Sequence, residues 1–107
     1  TKWKILIQEA VSLSARAKFQ GQVKALLSRR YFEEASATLV SLLNLDNKNS
    51  WALAEQGWIA YQKRDFGQAI NLLERALNLD PESACYHYRL VSYILEKSMD
   101  YFSVSIL

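Results

Sequence analysis

Residues 58–81, WIAYQKRDFGQAINLLERALNLDP, hold the end of one helix, a short break and a second helix. Asp65 in the break can accept a hydrogen bond from a free amide of the coming helix. Gln68 stands three places on, as a capping box asks. Ala69, Leu72, Leu73, Ala76, Leu77 and Leu79 then recur at the i, i+3, i+4, i+7 spacing of an amphipathic helix. That helix must stop near Asp80, because Pro81 disfavours helical backbone at the residue before it. Asp80 and Pro81 also read as the start of the next helix, with Asp as cap and Pro at the first position.

The closing Asn78-Leu79-Asp80 has already occurred at Asn44-Leu45-Asp46, a shift of 34 residues. With residues 16–49 laid over 50–83 and no gap, Gln22, Arg30, Phe32, Ala35 and Leu39 fall on Gln56, Arg64, Phe66, Ala69 and Leu73. Leu43 to Asp46 then fall on Leu77 to Asp80. A fixed period of this size marks stacked supersecondary units. Each unit reads as two helices, and only the last nine residues hint at β alternation. The expected organisation is one all-α helical-repeat domain over 1–107. Residues 1–15 form a capping helix, 16–49 and 50–83 two repeats, and 84–107 part of a third.

Period and pattern together resemble the tetratricopeptide repeat family, whose unit is a helix-turn-helix and whose units stack into a right-handed α-α superhelix. The family sets small residues where two helices cross closely, and Gly57, Ala69, Ala76 and Pro81 stand at those places with the family's spacing. The first unit keeps Ala35 but has Val23 for the Gly, Leu42 for the second Ala and Asn47 for the Pro. The second has Leu53 for the usual Trp and Gln56 for Leu, and the third, opening at Ala84, has Val91 for the Gly. The resemblance covers about residues 16–97. A narrower likeness lies in WALAEQGWIAYQKRDF (51–66) and ACYHYRL (84–90), which are similar to the repeat scaffold of the superkiller complex. That complex is the helicase assembly feeding RNA to the cytoplasmic exosome.

The resemblance implies a non-catalytic protein–protein interaction module, a piece of a larger scaffold that assembles a multiprotein complex. First helices line the concave face in this family. That puts Trp51, Ala54, Trp58 and Tyr61 in a partner groove, with Gln20 and Lys24 before them and Tyr88 and Ser92 after. Trp and Tyr carry much of the energy of protein interfaces. Trp51 and Trp58 are either such anchors or core residues packed on the preceding unit. A further use of the fold is clamping a C-terminal carboxylate. Here the corresponding residues are Gln20, Lys24, Glu55, Cys85 and Arg89. Only Arg89 agrees and Glu55 would repel the ligand, which argues against a clamp.

Composition narrows the classes. Half the residues are hydrophobic and the net charge is +2, from 13 basic and 11 acidic residues mixed along the chain. Nucleic-acid and lipid surfaces normally need clustered Lys and Arg. Lys18, Lys24, Arg29 and Arg30 are the set that an alternative RNA-contacting role in an RNA-processing assembly would use. One cysteine, Cys85, fits a reducing compartment, so the expected location is cytoplasmic. No apolar run approaches the roughly 20 residues that span a bilayer. Cys85 and the single His87 stand two apart, off a shared helical face. His87 falls at a packing position, so no catalytic group, cofactor or metal site is expected.

The chain opens on Thr and reads as a piece of something longer. Residues 3–14 are either a separate capping helix that shields the first unit or the front of one long helix towards Arg29. The first helix of the third unit, with Tyr86, Leu90, Tyr93 and Ile94, lacks its usual partner. The tail adds Tyr101, Phe102, Val104, Ile106 and Leu107. Self-association through 84–107 is the expectation that follows.

Overall fold

The computed structural model describes the backbone of residues 2–106, and side chains over 2–99 with Ser12 excepted. Five helices follow one another: α1 (Lys2–Ser28), α2 (Phe32–Leu45), α3 (Ser50–Gln62), α4 (Phe66–Leu79) and α5 (Ala84–Ile106). No strand occurs among the described residues, and the hint of β structure near the end gives way to helix. The fold is all-α, with helices in the repeat arrangement of a tetratricopeptide-like array. It divides into two compact units, 1–47 and 48–107.

In the first unit α1 packs on α2. Val23 of α1 and Ala35, Leu39 and Leu42 of α2 are completely buried. An ion pair from Arg16 Nη1 to Asp46 Oδ2, 3.0 Å, ties α1 to the end of α2. Of the two readings of residues 3–14, the long helix holds and the separate capping helix over 1–15 is not formed, because α1 runs unbroken from Lys2 to Ser28. The repeat register explains why. Asn49 caps α3 by accepting from the Ala52 amide at 3.1 Å, and Ser83 caps α5 by accepting from the Tyr86 amide at 3.3 Å. One period earlier stands Ala15, which has no side-chain acceptor and is an excellent helix former. Nothing stops the helix there. Nor do residues 3–14 shield the unit, since Trp3, Ile5, Leu6, Ile7, Val11 and Leu13 are all exposed.

In the second unit α4 packs on both α3 and α5, burying Ala52, Leu53, Ile59, Phe66, Ala69, Leu72, Leu73 and Ala76. Gly57 permits a close approach of α3 to α4, because a Cβ there would lie 3.2 Å from the Ala69 carbonyl oxygen. The expected start of α5 at Pro81 moves to Ala84. Ser83 supplies the cap, while the Ser83 amide reaches back to the Asp80 carbonyl at 3.4 Å. Tyr93, expected to lack a partner, is buried. The side chains of 101–107 that the self-association expectation invokes lie outside the described residues.

The turns inside the two units are copies. Arg30 and Arg64 adopt positive φ, 62° and 60°. Around the first, the Tyr31 amide donates to the Leu26 carbonyl and the Arg30 amide to the Leu27 carbonyl. Around the second, Asp65 donates to Ala60 and Arg64 to Tyr61. This is the Schellman arrangement, which ordinarily places Gly at the left-handed position. Here each guanidinium lies over the ring two residues on, 5.5 Å from Phe32 and 5.3 Å from Phe66. Such cation–π contact, worth about 0.5–1 kcal/mol at exposed sites, offsets part of the backbone cost.

The next residue separates the copies. Asp65 caps α4 by accepting from the Gln68 amide at 3.3 Å, whereas Tyr31 gives α2 no side-chain cap. Tyr31→Asp should therefore raise the stability of the first unit by about 1 kcal/mol, read as a higher urea midpoint with an unchanged slope.

Candidate functional site

Three ties join α3 to α5, and their spacing sets the geometry between them. Arg89, Tyr93 and Glu96 recur at i, i+4 and i+7 and so share one face of α5. Arg89 Nη1 donates to Glu55 Oε1 at 3.2 Å. Tyr93 stacks on Tyr61 with ring centroids 4.6 Å apart and planes 17° from parallel. The Tyr61 hydroxyl donates to Glu96 Oε1 at 2.5 Å, and its ring meets Phe66 at a tilt, 5.8 Å away.

Between these ties lies an open cavity of about 330 Å³, lined by Trp58 and Tyr61 from α3 and Tyr88, Arg89, Ser92, Tyr93 and Glu96 from α5. Its electrostatics follow from the pairings. Hydrogen bonding to the Glu96 carboxylate, then burial, raises the Tyr61 phenol above its usual pKa. Burial pulls the Arg89 guanidinium down, but the Glu55 carboxylate outweighs it and holds Arg89 above its ordinary value. Burial pushes the Tyr93 phenol up to about 12, and its buried hydroxyl has no hydrogen-bond partner.

Of the residues expected in a groove, Trp58, Tyr61, Tyr88 and Ser92 line this one cavity. Ala54 is fully buried and offers a partner no surface. Trp51 is half-buried on α3 but is not in the lining. Gln20, half-buried, and Lys24, exposed, sit one turn apart on α1 in the other unit. Tyr93 and Glu96 were not expected in the lining, and Arg89 was weighed only as a clamp residue. The signal for all three is their common face on α5. His87 is exposed rather than at a packing position. Its Nε2 lies 2.7 Å from the Pro81 carbonyl oxygen, a contact that requires the proton on Nε2. Cys85 is exposed. No group of three His, Cys, Asp or Glu placed to hold a metal ion occurs among the described residues.

The sequence model of the tetratricopeptide repeat family matches residues 50–83. This is the stretch that forms α3, α4 and the turn after them. No curated protein is significantly similar to the chain. A tetratricopeptide repeat points to a protein–protein interaction module, and such repeats typically bind protein partners. No helix among the described residues is long and apolar enough to cross a membrane.

Proposed function

We propose that the chain is a non-catalytic interaction module that seats a peptide or protein partner in the α3–α5 cavity, as part of a scaffold for a multiprotein assembly. One observation carries this reading: Trp58, Tyr61 and Tyr88 border an open cavity, and Tyr88 is 76% exposed although it is a large aromatic residue. Aromatic anchors of this kind carry a large share of interface energy. Trp58, Tyr61, Tyr88 and Ser92 are the residues assigned to the contact. A finer reading, a scaffold in cytoplasmic RNA decay, rests on the likeness of residues 51–66 and 84–90 to the superkiller-complex scaffold.

Selection of random twelve-residue peptides displayed on phage against the immobilised chain tests the module. Enriched peptides should bind Trp58→Ala at least tenfold more weakly, about 1.4 kcal/mol, while the variant's circular dichroism stays helical. Failure to enrich any peptide, or enriched peptides indifferent to Trp58→Ala and Tyr88→Ala, would remove the cavity as the contact.

A further inference from the structure

We propose, building on the cavity as a partner contact, that its occupant is a cationic side chain, a lysine or arginine of the bound protein. The two charged residues in the lining are not equally available. Arg89 is committed to Glu55, its Nη1 donating at 3.2 Å to a carboxylate that is only 13% exposed. Glu96 has no basic partner among the described residues. It accepts from the Tyr61 hydroxyl through Oε1, which fixes the carboxylate and leaves Oε2 for an incoming donor. The cavity therefore presents one fixed, uncompensated negative charge.

The walls suit the same occupant. Trp58, Tyr61 and Tyr88 surround the space, and the faces of aromatic rings attract cations. Lysine and arginine lay an apolar stem along such surfaces while the charged head reaches a polar partner. A volume of about 330 Å³ lies at the low end of ligand clefts, about 300–1,000 Å³, and suits one long side chain. An acidic occupant would meet Glu96 at close range, and the Arg89 charge opposite it is already neutralised by Glu55.

The test is a titration of the ¹⁵N-labelled chain with n-butylammonium and n-butylguanidinium, the end groups of the two side chains. Pentanoate serves as an anion of similar length. The cations should shift the Trp58 indole signal and the amides of residues 88–96, and added salt should weaken the effect. Glu96→Gln keeps an acceptor for Tyr61 and should leave the spectrum dispersed, yet lower cation affinity at least fivefold. Shifts produced by pentanoate and lost in Arg89→Gln would overturn the cation assignment while leaving the cavity as a partner contact. Cation shifts unchanged by Glu96→Gln, or absent from these residues, would overturn it as well. The peptide selection, which does not depend on charge, separately decides whether the cavity binds a partner at all.

Discussion

Leu73→Ala should lower the unfolding free energy by about 2–5 kcal/mol, the range for truncating a fully buried leucine. Leu73 has no exposed surface, and its Cδ2 fills the hollow left by the missing side chain of Gly57. The same geometry predicts how the two positions couple. In Gly57→Ala the new Cβ would overlap Leu73 Cδ2 and stand 3.4 Å from Leu72 Cβ. Overpacking of that kind costs about 1–3 kcal/mol, against about 0.5–1 kcal/mol gained by replacing a mid-helix glycine. With Leu73→Ala already present that overlap is gone and only the 3.2 Å approach to the Ala69 carbonyl oxygen remains, so Gly57→Ala should cost less than it does alone. A urea double-mutant cycle should return a coupling of about 1–3 kcal/mol. Strictly additive effects would mean that α3 and α4 do not meet through this pair.

That glycine shows what the sequence makes legible. Gly57, Ala69 and Ala76 have their meaning through the resemblance to the family's pattern, and Gly57 does meet Ala69 between α3 and α4. The Asp65 cap with Gln68 is legible without that resemblance, since its chemistry is local to four residues. What escapes is whatever depends on a missing signal or on two helices at once. Arg30 and Arg64 hold a left-handed turn without the glycine that would announce it. A long α1 is one of two readings the residues leave open, and the choice between them turns on Ala15 standing where Asn49 and Ser83 cap later helices, which emerges only after the caps are known. The Asp80–Pro81 start fails because the serine two residues after Pro81 makes the better local bond.

The cavity shows the same division. Trp58 and Tyr61 share a stripe on α3 that any helical wheel reveals, and Tyr88 and Ser92 follow from the repeat. Glu96 shares a face of α5 with Arg89 and Tyr93, but the bond it accepts from the Tyr61 hydroxyl, 35 residues away, ties that face to α3. No spacing rule within one helix could reveal that. Ala54 errs in the opposite direction. It falls on the stripe by position, yet a methyl group beside larger neighbours is covered by them and ends fully buried.

Tyr93→Phe should stabilise the chain, and by more in alkali than at neutral pH. The Tyr93 hydroxyl is buried without a hydrogen-bond partner, a state that costs about 1–3 kcal/mol for a hydroxyl in a folded protein. Phenylalanine keeps the ring that stacks on Tyr61 and removes the orphan, so a gain of that order is expected at pH 8. The pH dependence has a definite sign. Burial holds the folded phenol up to about 12, against about 10 in the unfolded chain. Between those values the unfolded state binds fewer protons than the folded one, so stability falls as pH rises. The contribution is whole below pH 10 and is lost through pH 12. At pH 11 the ideal loss is about 1.4 kcal/mol, reduced to about 1 kcal/mol by solvent and nearby charge. Tyr61, also raised, adds to the parent's alkaline loss in both proteins and cancels in the comparison. Urea melts at pH 8 and pH 11 should show the advantage of Tyr93→Phe growing from about 1–3 to about 2–4 kcal/mol. An advantage that does not change with pH would place the Tyr93 hydroxyl in water, and with it the edge of the stack that joins α3 to α5.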